Sequence, residues 1–362
     1  MTDSLQDKSA STSRLIRLCV GYFIFYVVTG ITVKYFLGTG DGMPGLKGFE
    51  FLVYSTAGGM GICCVVVLAA RWFKIDSVRR IQLGPVSFPS EFLYIIPSGV
   101  CTAVVIPTTT LMYSLPISVL VAMVIMRGGV IVISRVVDAI QIRQGILTKK
   151  VYMVENIAVG FALSAVALKL SSAGEGGFAF LEDPVAMTTL GSYLTAYSFR
   201  IYIMNYYKNT AGKGVKRDNR AFFGVEQMSA AVTLVVVGVL VFKAPDWFGV
   251  NPVQIQDFRG AILSPAAVWP WALLAGSAFG VVAFFSVFIF MFKGRTATFA
   301  GLVNRLTSLI AGTTATLVVW LFFGGKFPKP QDWLSLVLIF VAVGFLSAAE
   351  KKRAAELAAQ VS

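Results

Sequence analysis

An all-α integral membrane protein, with ten transmembrane helices arranged as two inverted five-helix repeats, is the fold this sequence predicts. Three observations predict it. Of 362 residues, 56% are hydrophobic and 14% charged, with a mean hydropathy of +0.76, whereas a soluble globular chain carries roughly a quarter charged residues. The apolar residues fall into ten stretches, each close to the roughly 20 residues that cross a hydrocarbon core at about 1.5 Å rise per residue. Two arginines, Arg127 and Arg305, sit inside the fourth and ninth stretches, 178 residues apart.

The elements follow in order. Residues 1–14 are polar and read as a disordered cytosolic N-terminus. They lack the basic start and small-residue cleavage site of a signal peptide, so the first span is expected to be retained. The first repeat, 15–170, holds spans at 15–37, 49–70, 91–113, 117–139 and 151–170. Pro97 and Pro107 predict a kink or break in the third. The Gly-Gly-Met-Gly at 58–61 reads as a helix-packing face. It is not a phosphate loop, because no strand precedes it and no Lys-Ser/Thr follows. The second repeat, 184–349, holds spans at 184–207, 221–242, 266–292, 296–323 and 332–349, and residues 350–362 form a cytosolic tail.

Charge sets the orientation. With the N-terminus inside, the inner segments carry twenty Lys and Arg and the outer segments six, a bias that places both termini in the cytosol and requires an even number of spans. The net charge of +13 is therefore explained by topology and not by nucleic-acid binding. Arg135 and Arg200, near inner helix ends, are expected to snorkel. An endomembrane and a bacterial inner membrane both fit.

Five spans per half force the two halves to be inverted. Arg127 then lies about ten residues from the outer end of its span and Arg305 about nine from the inner end of its own, so each is roughly 14–15 Å deep, near the midplane. An arginine there costs about 2.5–3.5 kcal/mol on insertion scales, and intramembrane charges are functional by default. Arginine forks suit phosphate oxygens better than lysine does. Gly128 and Gly129 either pack helices or open space beside the guanidinium, and Asn304 offers donors and acceptors to a substrate or to a neighbouring helix. Lys34, near an outer helix end, either snorkels or binds. Glu226 either pairs with a basic loop residue or couples a proton; Glu155 reads the same way, at a favourable helix N-terminus.

Catalysis is not expected. The chain has no histidine, which excludes zinc–histidine sites, a histidine triad and a histidine pH switch. Cys19, Cys63, Cys64 and Cys101 lie in apolar segments without metal spacing and read as packing thiols. There is no nucleophile elbow, no zincin motif and no carboxylate pair within a span. No metal and no cofactor is implied.

At 92–136, "FLYIIPSGVCTAVVIPTTTLMYSLPISVLVAMVIMRGGVIVISRV", the sequence resembles the third and fourth helices of the drug/metabolite transporter superfamily, within it the solute carrier 35 (nucleotide-sugar-transporter-like) group. "GLVNR" (301–305) is similar to the Gly-x-x-Asn-Lys motif of GDP-sugar carriers, with arginine for lysine, and "ITVKYF" (31–36) to the end of their first helix, without its asparagine. "AFFGVEQM" (221–228) lacks both asparagines of the GDP-mannose carrier motif at that point. The resemblance covers essentially the whole chain. It implies an alternating-access carrier, working by exchange, for an anionic phosphorylated metabolite such as a nucleotide sugar. Arg127, Arg305, Asn304, Lys34, Tyr26 and Tyr197 would bind the substrate; the tyrosines belong to a wider set, Tyr22, Phe25, Tyr26, Tyr193, Tyr197 and Tyr202, on two helices that commonly face the cavity. Two other readings stay open: a carrier of neutral or cationic small molecules, and a non-transporting membrane adaptor. The expected partners are a small anionic molecule and the lipid bilayer, with a homodimer left open.

Overall fold

The computed structural model describes residues 2–40, 42–77, 79–114, 119–147, 151–171, 182–210, 218–324 and 327–359. Within them the chain is almost entirely helical: α1 (Thr2–Leu37), α2 (Gly48–Ala69), α3 (Phe92–Ser114), α4 (Val119–Arg143), α5 (Met153–Ser171), α6 (Pro184–Asn209), α7 (Asn219–Phe248), α8 (Val253–Leu263), α9 (Trp269–Phe290), α10 (Ala297–Phe323) and α11 (Pro330–Ala359). Each apolar stretch overlaps one of these helices; the start of the fourth, Ile117 and Ser118, lies outside the described residues. Among the described residues, seven helices are long and apolar enough to cross a membrane, on α1, α2, α3, α7, α9, α10 and α11. The chain is thus an all-α, multi-pass membrane protein. Its outer surface agrees: Val232, Val235, Val236, Val239 and Leu240 stand exposed along α7, a continuous apolar face that water would not tolerate.

Four features differ from the sequence expectation. Helix α1 starts at Thr2, further towards the N-terminus than the span at 15–37; residues 2–14 contain neither glycine nor proline to stop it. Helix α3 continues through Pro97 and Pro107, so of the kink or break expected there the break is absent. Threonine hydroxyls follow the second proline, Thr108 donating to the Val104 carbonyl and Thr109 to that of Val105, each at 2.7 Å. Between α2 and α3 lies an antiparallel hairpin, β1 (Arg80–Leu83) and β2 (Val86–Pro89), closed by Gly84 at φ +61°. Helix α8, 11 residues long, is too short to have registered as a span; Tyr54 Oη donates to its Ala261 carbonyl at 3.0 Å and Lys47 pairs with its Asp257 at 2.6 Å. That hydrogen bond, reinforced by the carboxylate charge, holds the Lys47 pKa above its ordinary value.

Packing pairs the helices across the chain. Helix α2 lies along α9 and α5 along α11; α3 meets α6 and α7; α1 meets α9 and α10; α4 meets α5, α6 and α10. Gly58 and Gly59 set the α2–α9 distance. A Cβ on Gly58 would overlap the Leu273 carbonyl, and one on Gly276 the Ser55 backbone, while Gly61 faces open space. Backbone cannot yield as a flexible side chain can. Gly58→Ala is therefore expected to lower stability by about 1–3 kcal/mol, the usual range for overpacking, and Gly61→Ala to leave it unchanged, both read as thermal midpoints in detergent.

Candidate functional site

The polar interior is built on α1, α4, α6, α9 and α10. Arg127 on α4 is 5% exposed; its guanidinium lies over the Tyr26 ring, 5.6 Å from the centroid, and Nη2 donates to Tyr26 Oη at 3.3 Å. Arg305 on α10 is 6% exposed and lies over the Tyr197 ring at 4.9 Å. A ring face compensates part of a buried cation's desolvation, by roughly 2 kcal/mol or more where water is excluded. It does not satisfy N–H groups. Nε and Nη2 of Arg305 are buried without a hydrogen-bond partner among the described residues.

Around the arginines, Tyr22 packs on Tyr26 at 5.4 Å and Tyr193 on Tyr197 at 4.7 Å. Asn304, fully buried, accepts from Tyr22 Oη at 3.3 Å and donates to Ser286 Oγ on α9 at 3.0 Å. Gly312 faces the first arginine: a Cβ there would stand 3.5 Å from Arg127 Nη1. Gly128 and Gly129 do not open that space. Their Cβ positions would strike Val166 on α5 and Leu194 on α6, so they serve helix packing.

Two constant offsets relate the site to itself. Adding 178 takes Arg127 to Arg305 and Asp138 to Thr316. Adding 171 takes Tyr22 to Tyr193, Tyr26 to Tyr197 and Lys34 to Asn205. Arg127 on α4 lies over Tyr26 on α1, and Arg305 on α10 lies over Tyr197 on α6.

Glu226 stands outside this cluster. Its carboxylate takes Arg200 Nε at 2.9 Å and Nη2 at 3.1 Å, one on each oxygen, and Ser98 Oγ at 2.7 Å. Arg200, expected to snorkel, is instead buried in this pair, with Arg200 and Glu226 side chains 6% and 0% exposed. Arg135 donates Nε to Asn156 Oδ1 at 3.0 Å. Lys34 lies about 12 Å along α1 from Tyr26 and donates to Thr316 Oγ1 at 2.6 Å, so it belongs to the end of the bundle and not to the arginine–tyrosine cluster. Phe25 stacks on Phe285, and Tyr202 donates to Gln144 at an exposed edge. Glu155 is buried in the first turn of α5.

Sequence reading missed Ser286, the Arg200–Glu226–Ser98 group and Asp138. Asp138 carried a readable signal, a lone carboxylate inside a predicted span. The others become visible only when helices distant in sequence meet.

No family model matches the chain, and no curated protein matches it. A solved crystal structure of a protein 12% identical in sequence matches it over 94% of this chain and 98% of that one, with a TM-score of 0.56. At that identity the likeness shows the fold alone.

Proposed function

We propose that this protein is an alternating-access membrane carrier, working by exchange, for an anionic and phosphorylated small molecule held between Arg127 and Arg305. The carrying observation is the unpartnered Nε–Nη2 edge of buried Arg305. Arg200 uses the same two atoms to grip the Glu226 carboxylate. That edge is the bidentate seat of a guanidinium for an oxyanion, and leaving it desolvated costs several times what an ordinary unmade hydrogen bond does. An arriving phosphate supplies the missing acceptors. Flanking tyrosine faces and Asn304 suit a base or sugar attached to it.

The reading includes ten spans in two inverted repeats, both termini in the cytosol, and membership of the drug/metabolite transporter superfamily. Packing supports the repeat. Counting the ten long helices in order and exchanging each with the one five places on takes the α2–α9 contact to α7–α3, α3–α6 to α9–α1, and α1–α10 to α6–α4. The paired offsets and the two arginine–tyrosine contacts support it at the level of residues. An odd number of helices per half makes the relation an inversion. Exchange follows from the site: an empty carrier would reorient with a buried guanidinium that the ring face compensates only in part.

The rival carrier of neutral or cationic solutes needs the arginines neutralised internally. Glu226, the candidate for that role, is taken by Arg200. The non-transporting adaptor is favoured by one observation, the near-complete burial of both guanidiniums. The carrier reading takes that burial as an occluded conformation. Proteoliposomes decide between them. With unlabelled nucleotide sugars, nucleotide monophosphates or sugar phosphates inside, uptake of the labelled counterpart should exceed that of empty vesicles. Equal, background-level uptake in every case supports the adaptor.

A further inference from the structure

One end of the bundle is closed by buried polar groups from both halves of the chain. Asp138, near the end of α4 and fully buried, accepts from the backbone N–H of Ala297 at 2.8 Å and of Thr298 at 2.6 Å, so a carboxylate of α4 caps the first turn of α10. Asn205 on α6 donates Nδ2 to the same carboxylate at 3.3 Å and to Gln141 Oε1 at 2.9 Å. One turn on, Lys208 donates Nζ to the carbonyls of Phe290 at 2.9 Å and Arg295 at 2.8 Å, tying α6 to the α9–α10 turn. Arg295 in turn pairs with Glu350 on α11.

This layer lies on one side of the arginines. Asn205 is eight residues beyond Tyr197, Asp138 eleven beyond Arg127, and Ala297 eight before Arg305, so each stands roughly 12–17 Å away along its helix. The same spacings recur at the opposite end: Lys34 is eight residues beyond Tyr26 and Thr316 eleven beyond Arg305, and these two are hydrogen-bonded. Lys34–Thr316 is therefore the counterpart of Asn205–Asp138 under the offsets that relate the two arginines.

We propose that Asp138, Asn205 and Lys208 form the latch of a gate at one end of the arginine site, and that Lys34 and Thr316 form the matching gate at the other. The inference rests on the carrier reading. The latch is shut in this conformation. Opening it separates α4 and α6 from the α9–α10 turn and strips buried, charge-assisted hydrogen bonds, so it requires water to reach Asp138. The residues act by positioning helices.

Thiol labelling tests the latch without any substrate. Ser134, fully buried on α4 between Arg127 and Asp138, packs at the α4–α10 interface, where a Cβ on Gly301 would overlap it. Thr313 is its neighbour in role toward the other end, 8% exposed on α10. In a background whose four native cysteines are replaced, S134C or T313C is probed with a polar maleimide in purified protein. Asp138→Asn and, as a milder change, Lys208→Met should each raise labelling of S134C by about tenfold or more and leave T313C unchanged. Unchanged S134C labelling in both variants, or an equal rise at both positions from general loosening, overturns the latch. The two readings fail separately: solute exchange with unchanged labelling removes the latch alone, and labelling as expected without solute exchange removes the carrier alone.

Discussion

Arg305→Ala is expected to abolish ligand binding and exchange, and Arg305→Lys to weaken binding by roughly 10–100-fold. Lysine keeps the charge but loses the planar edge, so a bidentate oxyanion loses one of its two parallel hydrogen bonds. The alanine variant should at the same time be as stable as the parent or more so. It removes a buried guanidinium whose Nε and Nη2 have no partner among the described residues, and with it a desolvation cost that the Tyr197 ring face offsets only in part. Loss of function with unchanged or raised thermal midpoint is the signature of a site held ready for a ligand. A structural arginine would show the reverse, with stability falling and binding, if any, persisting. Measuring midpoint and binding on the same preparation separates the two.

The largest loss of stability is expected at Glu226. Glu226→Ala leaves Arg200 buried without its carboxylate and should cost about 3–5 kcal/mol, as breaking a buried ion pair does. Replacing both partners by apolar residues of similar volume, Arg200→Met with Glu226→Leu, should recover most of that loss, because no charge is then left uncompensated. Ser98 donates to the same carboxylate and would lose a partner in either case, so recovery is expected to be incomplete. The thermal midpoints of Arg200→Met, Glu226→Leu and the double variant form the cycle that checks this. Were Glu226 a proton-coupling group instead, the double variant would fold well but lose the pH dependence of exchange.

How far the sequence could be read depended on the range of the interaction. Helix positions were legible because a spanning helix declares itself through its own composition. The β1–β2 hairpin and α8 escaped because four-residue strands and an 11-residue helix fall below the length at which hydropathy distinguishes them. Arg127 and Arg305 stood out because a charge in an apolar run has few explanations. Their tyrosine partners, Tyr26 and Tyr197, were named on the resemblance; composition alone does not separate them from Phe25 and Tyr202, because aromatic residues are common in membrane helices, whereas the ring contacts do. The Arg200–Glu226 pair spans two helices and depends on their mutual rotation, which no local pattern records. Lys34 was rightly seen as a charge near a helix end, but its partner Thr316 lies 282 residues away.

The most direct test of the central claim is thermal stabilisation of the purified protein by a ligand panel, with Arg127→Ala and Arg305→Ala beside the parent. The panel contains nucleotide mono- and diphosphates, nucleotide sugars, sugar phosphates, nucleosides and cationic drugs. A ligand at about 100 times its Kd stabilises by about 2.7 kcal/mol, a shift readily measured. The account predicts stabilisation by phosphorylated compounds, absent in both variants. Stabilisation only by uncharged or cationic compounds, or stabilisation that survives both substitutions, would contradict it.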